Sequence, residues 1–207
     1  MQFHTAGLTP IQLEVLQKTG GFVSKWNYYL AGGTAISIYF GHRSSFDLDW
    51  FTSSSLSDPL QFAQLLRSEG INFVTDSIER GTLYGNIENV RLSFLEYHYD
   101  LLQPLTFWKE SSCYLASLDD LACMKLAAVA QRGSRKDFID VFSLVQQYKP
   151  LPELLLLYQN KYQTENIAPV LMGLVYFDDA DQEPDPPLWS IGWQEIKREI
   201  SGWVEQI

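Results

Sequence analysis

A glycine pair and an alternating pair of acids lie in the first quarter of the chain, and they constrain its fold more than any other feature. Residues 30–34 read Leu-Ala-Gly-Gly-Thr, and residues 47–51 read Asp-Leu-Asp-Trp-Phe. Side chains two residues apart in a strand point to the same face of a sheet, so Asp47 and Asp49 should project together. Such a pair can bind a hard divalent cation, and the glycines can bring backbone amides close to a phosphate. The combination predicts chemistry on a nucleoside triphosphate.

Length, hydrophobicity and charge restrict the class of protein. The 207 residues, 46% of them hydrophobic, suffice for one substantial core or for one domain with a helical appendage. No apolar run approaches the roughly 18 residues of a membrane span, and the N-terminus lacks a signal-peptide pattern. We therefore expect a cytoplasmic protein with no membrane partner. The net charge of −10 argues against broad, non-specific binding of nucleic acid, although a local basic pocket is compatible with it.

The pattern of secondary structure changes along the chain. Thr9 and Gln12 form a capping box that predicts a first helix, and the glycines at 20–21 are expected to end it. Strand patterns follow at residues 28–31, 46–51, 71–78, 82–87 and 90–95, of which the last three indicate an antiparallel meander. From residue 117 the pattern is helical, and an acidic, proline-rich loop is expected at residues 178–187. The layout is a mixed α/β front half and a helical back half.

A second group of charged residues lies in the helical half. Asp137 and Asp140 should share one face of a helix, and a corner at residues 133–134 can fold that helix against the one carrying Lys125. A lysine placed there can neutralise the charge that develops on phosphates in a transition state. Asp137 also has a simpler explanation, because with Ser134 it matches a capping box at the start of a helix.

The residues before the acid strand offer a third group of polar side chains. Arg43 can contact a triphosphate through charge-assisted hydrogen bonds, and either Ser44 or Ser45 can donate to it. Alternatively, they form a solvated loop whose arginine balances the nearby aspartates. His42 has no paired ligand nearby in sequence, so we expect it to be incidental to the chemistry.

These motifs resemble those of a known family. The segment at residues 30–51 and the later run at residues 124–140 (Met-Lys-Leu-Ala-Ala, then Gln-Arg-Gly-Ser-Arg-Lys-Asp-Phe-Ile-Asp) are similar to the two signatures of the AbiEii/AbiGii toxin family. That family belongs to the nucleotidyltransferase superfamily related to DNA polymerase β. The resemblance implies an α+β fold, with a nucleotidyltransferase-like mixed sheet and flanking helices at residues 1–112 and a C-terminal helical bundle at residues 113–207.

The resemblance also implies roles for particular residues. It implies that Asp47, Asp49 and Lys125 are catalytic, and that Mg²⁺ binds at the two aspartates. The nucleotide-binding residues that we expect are Gly32, Gly33, Thr34, Arg43, Ser44, Asp137 and Asp140.

One position departs from the superfamily pattern. Active members usually carry a third carboxylate on a neighbouring strand, and Ser93 occupies the corresponding place in the strand at residues 90–95. A hydroxyl cannot replace a carboxylate as a charged metal ligand or as a general base. Glu96 has the opposite strand parity, so it should face away unless a bulge intervenes.

The resulting hypothesis is an Mg²⁺-dependent nucleotidyltransferase of the AbiEii type. It would transfer a nucleoside monophosphate from an NTP to a hydroxyl of RNA, a protein or a small molecule, within a toxin–antitoxin or phage-defence system that includes a genetically linked antitoxin. Ser93 motivates an alternative, a degenerate member that binds nucleotide without transferring it. A third possibility is an aminoglycoside-type nucleotidyltransferase, for which the acidic loop is the one hint.

Overall fold

The computed structural model describes residues 3–207. Its strands are β1 Tyr29–Ala31, β2 Asp47–Thr52, β3 Val74–Glu79, β4 Thr82–Ile87, β5 Val90–Glu96, β6 Thr106–Trp108 and β7 Cys113–Leu115. Its α-helices are α1 Pro10–Lys25, α2 Gly32–Phe40, α3 Pro59–Ser68, α4 Leu118–Gln131, α5 Arg135–Gln147, α6 Leu151–Tyr162, α7 Ala168–Leu174 and α8 Trp193–Val204. The α+β prediction is confirmed.

The seven strands form one mixed sheet in the order β3-β4-β5-β2-β1-β7-β6, which places the acid-bearing strand β2 at its centre. β2 is antiparallel to β1 and parallel to β5. On the two sides of Asp49, the partners in register are Ala31 and Ser93. The start of α2, which follows Ala31 directly, is therefore beside Asp49.

The first helix is longer than the sequence predicts. The capping box of Thr9 and Gln12 is present, but α1 continues through both glycines to Lys25. A Cβ on Gly20 would lie 2.1 Å from the backbone carbonyl oxygen of Ser111. Gly20 is therefore required for a close approach of two backbones, and the prediction that the glycine pair ends the helix is wrong.

The antiparallel meander of β3, β4 and β5 is confirmed, although β3 begins at Val74 rather than at residue 71. The hairpin of β6 and β7 is not predicted, because each strand has only three residues. β7 pairs in parallel with β1 and completes the sheet, so the predicted boundary at residue 112 falls inside this hairpin. The helical region begins at Leu118.

The helical region shares one hydrophobic core with the sheet. Buried residues of α4 and α5, such as Leu121 and Phe138, belong to the same apolar cluster as Leu30 and Trp50 of the sheet. α4 packs against α2, α5, α6 and α7 and so links the two halves. Within the described part of the chain, no helix combines the length and the apolar character needed to cross a membrane.

Candidate active site

Asp47 and Asp49 lie on one face of β2. They are partly exposed, whereas the alternate residues Leu48 and Trp50 are fully buried. The buried residues fix the strand in the core, so the acids face a cleft on the other side of the strand. Both aspartates line the same cavity, together with Gly33. The prediction that the two carboxylates project together is confirmed.

The glycine pair approaches the acid pair closely. Gly32 has a left-handed backbone with φ +66°, and a Cβ there would lie 2.8 Å from Oδ2 of Asp49. A Cβ on Gly33 would lie 2.3 Å from Nη2 of Arg43. α2 begins at Gly32, so the amides of its first turn have no intrahelical partner and favour an anion. The glycine bend and the acid pair therefore meet at one place.

We expect Gly32→Ala to damage both the fold and the site. The positive φ costs an alanine about 1–2 kcal/mol, and the added methyl group displaces the Asp49 carboxylate. The melting temperature should fall by roughly 2–8 °C, as measured by thermal unfolding. Gly202→Ala in α8 is the control, because open space surrounds Gly202 and alanine favours a helix. Equal melting temperatures for the two variants would contradict this interpretation.

Ser93 is the residue that stands where the superfamily resemblance predicts a third acid. Its Oγ donates a hydrogen bond of 2.9 Å to Oδ1 of Asp49. Burial raises the pKa of Asp49, this hydrogen bond partly offsets the rise, and the charge of Asp47 adds to it. Glu96 lies apart from the site, where its carboxylate accepts hydrogen bonds from Ser55 and from the Leu56 amide. The prediction that Glu96 faces away is confirmed.

Asp47 has a cationic partner in the neighbouring strand. Nε of Arg91 lies 2.8 Å from Oδ1 of Asp47, and Arg91 is the register partner of Asp47 in β5. The Arg91 side chain is 73% exposed, so the ion pair is weak. A cation with a higher charge can therefore displace Arg91 at little cost.

Behind the acid pair lies a buried cluster of charged side chains. Nζ of Lys125 donates to Oδ1 of Asp137 at 2.8 Å and lies 2.9 Å from Oδ2 of Asp140. Arg43 donates hydrogen bonds of 2.7 Å to both carboxylate oxygens of Asp140, one from Nε and one from Nη2. Arg132 bonds both oxygens of Asp137. The two predicted motifs of the resemblance are thus joined in space by the Arg43–Asp140 pair.

The pKa values in this cluster follow from its charges. Burial opposes ionisation of Asp140, but Arg43 and Lys125 outweigh it and hold the pKa of Asp140 well below its ordinary value. Burial likewise opposes ionisation of Asp137, yet Lys125 and Arg132 lower its pKa. Burial alone would lower the pKa of Lys125, but Asp140 and Asp137 together raise it. All three groups are therefore charged at neutral pH.

This geometry separates the roles predicted for the cluster. Ser134 does not cap α5 with its side chain, and its hydroxyl instead donates 2.8 Å to Oδ2 of Asp137. The capping-box explanation of Asp137 is therefore wrong, because its carboxylate is held by Lys125 and Arg132. Asp137 and Asp140 are both buried at 0% exposure, so in this structure they position the lysine. Lys125 itself lines the cleft.

Thr34 and Ser44, two of the expected nucleotide ligands, make hydrogen bonds within the protein. The hydroxyl of Thr34, which is 1% exposed, lies 2.8 Å from Oγ of Ser45 and donates to the backbone oxygen of Asp47. The backbone amide of Ser44 donates 2.9 Å to the carbonyl of Pro187. Ser45, the other serine that the sequence offers as a donor, lines the cavity next to Arg43.

His42 is closer to the chemistry than its sequence context indicates. Its Nε2 lies 2.8 Å from Oδ1 of Asp140, and its side chain is 3% exposed. The Asp140 carboxylate thus has four nitrogen atoms around it, two from Arg43, one from Lys125 and one from His42. The expectation that His42 is incidental to the chemistry stays a prediction, because this contact is with a buried carboxylate and His42 lines neither compartment of the cleft. Its position directly before Arg43 is the one sequence signal that could have found it.

The cleft has two compartments that share a wall. The first, of about 530 Å³, is lined mainly by charged residues, including both aspartates of β2, Arg43 and Lys136. The second, of about 770 Å³, is lined mainly by aromatic and apolar side chains. Residues that border both compartments are Gly33, Asp49, Lys125 and Arg132. Asp49 and Lys125 thus stand at the junction.

The acidic segment at residues 178–187 closes one side of the charged compartment. Arg135 holds it by donating to the carbonyls of Ala180 and Asp181 and to the carboxylate of Asp185. Glu183 reaches the compartment wall, while Asp181 is paired with Lys197. The segment is anchored to the protein surface at these points, and most of its residues are exposed, as predicted.

Sequence comparison identifies a relative along nearly the whole chain. The uncharacterized protein aq_aa25 of Aquifex aeolicus (strain VF5) is 34% identical over 203 residues, which cover 94% of this chain and 96% of the relative. This chain belongs to the aq_aa25 family. No family model matches the chain, so membership of the AbiEii/AbiGii family stays a prediction.

Similarity to solved structures shows which fold this chain has. MenT4, a nucleotidyltransferase toxin of Mycobacterium tuberculosis H37Rv, is similar with a TM-score of 0.60 at 13% identity, over 95% of this chain and 82% of its own. The antibiotic-resistance factor ANT(2'')-Ia is similar with a TM-score of 0.55 at 10% identity, over 75% and 95%. JHP933 of Helicobacter pylori gives 0.54 at 14% identity, over 98% and 92%. The chain has a nucleotidyltransferase-like fold.

The donor set fits one divalent cation held jointly with a nucleotide. Within residues 3–207, no group of three or more His, Cys, Asp or Glu side chains is arranged to hold a metal ion. Mg²⁺ commonly uses only one or two carboxylates, together with phosphate oxygens and water. Asp47 and Asp49 supply two carboxylates. Burial is the main cause that raises the pKa of Asp49, and a bound cation would favour its charged form.

Proposed function

We propose that this protein is an Mg²⁺-dependent nucleotidyltransferase, which transfers a nucleoside monophosphate from an NTP to a hydroxyl group and releases pyrophosphate. The observation that carries the proposal is the junction of the two compartments. There Asp49, Gly33 and Lys125 border one space, with Asp47 beside them. Carboxylates for a cation, amides for a phosphate and a lysine for developing charge are the parts that phosphoryl transfer needs.

Each group has a part in this chemistry. Asp47 and Asp49 would hold Mg²⁺, which when bound neutralises phosphate charge and polarises the phosphorus–oxygen bond. Gly33 and the start of α2 would receive phosphate oxygens. Lys125, oriented by Asp137 and Asp140, would stabilise the negative charge of the transition state and of the leaving pyrophosphate. Thr34 and Arg43 would act by fixing the acid strand and Asp140.

We further propose a cytoplasmic, AbiEii-type role as the toxin of a toxin–antitoxin or phage-defence system, acting on an RNA, protein or small-molecule acceptor and controlled by a genetically linked antitoxin. The motifs at residues 30–51 and 124–140 support this role. The structural likeness to MenT4, described as a nucleotidyltransferase toxin, is compatible with it.

Labelled nucleotides test the proposal directly. The full chain is incubated with each α-labelled NTP, Mg²⁺ and a cell extract, and the products are separated from free nucleotide. We expect the α-label, but not a γ-label, to appear in an acceptor. Binding of NTP without transfer of either label would instead support the degenerate nucleotide-binding member.

Ser93 is the specific observation in favour of that degenerate alternative, and Ser93→Asp probes it. The new carboxylate would lie opposite Asp49 in the parallel β2–β5 pair, where like charges repel. Without Mg²⁺ we expect a lower melting temperature than in the wild type, and with Mg²⁺ we expect a larger gain in melting temperature. Ser77→Asp on exposed β3 is the control. A variant that gains no more stability from Mg²⁺ than the wild type would contradict a metal site at this position.

The aminoglycoside alternative finds little support in the cleft. A polycationic drug calls for several free carboxylates in the acceptor compartment, but Asp49 is the one acid among the described residues lining the aromatic compartment. Among the described acids of the acidic segment, Glu183 is the one that lines the charged compartment. Asp181 and Asp185 are paired with Lys197 and Arg135.

A further inference from the structure

The aromatic compartment has a composition that the phosphate chemistry does not require. Six aromatic side chains line it, namely Phe51, Tyr84, Tyr97, Tyr99, Tyr158 and Tyr162. They come from four separate segments of the chain, and all of them except Phe51 lie outside the signature motifs at residues 30–51 and 124–140. Aromatic rings collected in a concave site generally bind apolar or planar groups.

The register of the sheet connects this aromatic wall to the acid pair. Asp49 is opposite Ser93, and Ser93 is opposite Tyr84 on the next strand. Residues opposite each other in adjacent strands share a face, so these three side chains form a row across the sheet. Tyr84 therefore begins the wall two strands away from the acid that we place at the reacting phosphate.

The tyrosines of the wall are held in fixed positions. The hydroxyls of Tyr97 and Tyr162 are hydrogen-bonded to each other at 2.7 Å. The ring of Tyr99 meets the ring of Tyr162 edge-on, with centroids 4.7 Å apart, and Tyr158 lies 4.6 Å from Tyr162. A prearranged wall loses little conformational entropy when a ligand binds.

A buried ion pair supports the wall from behind. Lys161 and Asp120, both with fully buried side chains, are joined at 2.7 Å, and Nζ of Lys161 lies 5.3 Å from the centre of the Tyr97 ring. Asp120 also accepts a hydrogen bond from the Leu102 amide, and Lys161 donates to the Asp100 carbonyl. These contacts fix the segment that follows Tyr99.

We propose that the aromatic compartment is a stacking site for the base of the nucleoside triphosphate, and that it is permissive in the base it accepts. This inference rests on the proposed function, because it places the triphosphate in the charged compartment and the α-phosphate at the junction. The wall offers rings and hydroxyls but no charged side chain beyond the junction residues. Stacking depends on the face of a base rather than on its hydrogen-bonding edge, so it tolerates all four bases.

The test compares binding of ATP, GTP, CTP, UTP and inorganic tripolyphosphate to the full chain with Mg²⁺, by calorimetry. We expect each NTP to bind at least roughly tenfold more tightly than tripolyphosphate, because a stacked base contributes on that scale. Purines, which have the larger ring face, should bind more tightly than pyrimidines by no more than about tenfold. Equal affinity for NTPs and tripolyphosphate would overturn the proposal, and so would one base preferred by roughly a hundredfold or more.

Variants locate the effect. Tyr99→Leu and Tyr158→Leu should weaken NTP binding by about tenfold and leave tripolyphosphate binding unchanged. Tyr99 is 49% exposed, so its loss should not unfold the protein, and thermal unfolding checks this. Tyr114→Leu in β7 is the matched control, because Tyr114 is also exposed but lines neither compartment. The proposal would be overturned if both wall variants bound NTP as tightly as the wild type. It would also be overturned if Tyr114→Leu weakened NTP binding as much as they do.

The binding measurements and the label-transfer experiment together separate this inference from the proposed function. If NTPs bind more tightly than tripolyphosphate and the wall variants weaken that binding, but no label is transferred, the stacking site is supported and the transferase activity is refuted. If label is transferred and the wall variants bind NTP as tightly as the wild type, the stacking site alone is refuted.

Discussion

Asp49→Asn should abolish transfer of the nucleoside monophosphate while leaving the protein folded. The asparagine has the shape of the aspartate, and its side-chain oxygen can still accept the hydrogen bond from Ser93. It lacks the negative charge that would hold a divalent cation at the junction of the two compartments. Because a metal ion contributes several kcal/mol to the stabilisation of the transition state, the rate should fall by roughly a thousandfold or more.

The variant should also be at least as stable as the wild type in the absence of Mg²⁺. Burial and the charge of Asp47 raise the pKa of Asp49, so its ionised form destabilises the folded protein at neutral pH. Asp179→Asn, at an exposed position of the acidic segment, controls for the loss of one negative charge. Transfer that persists in Asp49→Asn at near wild-type rate would remove Asp49 from the chemistry.

Asp140→Asn should cause the largest loss of stability. It leaves Arg43, which is 2% exposed, and Lys125, which is 5% exposed, without their shared carboxylate. Removing one member of a buried ion pair typically costs about 3–5 kcal/mol. Urea unfolding should show this loss, whereas Asp185→Asn should cost less than about 1 kcal/mol, because the Asp185 side chain is 49% exposed in its pair with Arg135. Equal losses for the two variants would contradict the role of the buried cluster.

The same cluster sets the response to acid. The pKa values of Asp137 and Asp140 are lower in the folded protein than in the unfolded chain, so the folded state binds fewer protons. Their contribution to the free energy of unfolding is therefore complete above the ordinary aspartate pKa of about 3.9 and is lost as the pH falls further. Asp49 acts with the opposite sign, since its raised pKa favours the folded state as it becomes protonated. As the pH is lowered from about 4 to about 2, the free energy of unfolding should fall less steeply for Asp140→Asn than for the wild type.

The parts of the site that follow from local pattern were predictable. Alternating burial places Asp47 and Asp49 on one face, and strand parity alone separates Ser93 from Glu96. Both features depend on the period of a strand, which is visible in a single sequence. The pairing of β5 with β2 then puts Ser93 beside Asp49, in the place expected for the missing acid.

Features that depend on contacts between distant segments were not predictable. A glycine that ends a helix and a glycine that admits a neighbouring backbone have the same sequence signal, so α1 was predicted to end at Gly20. Asp137 matched a capping box, but Lys125 and Arg132 compete for its carboxylate in the folded chain. His42 acquires its role only when α5 brings Asp140 to it. The aromatic wall is likewise assembled from separate strands, a loop and α6.

The central claim is that two aspartates and a glycine bend form one site for a cation and a triphosphate. A crystal structure of the full chain with Mn²⁺ and a non-hydrolysable NTP tests it most directly, because the anomalous signal of manganese locates the ion. We expect the ion to contact carboxylate oxygens of both Asp47 and Asp49, with the triphosphate against Gly33. An ion bound elsewhere, or a triphosphate that leaves the space beside Asp49 empty, would contradict the claim.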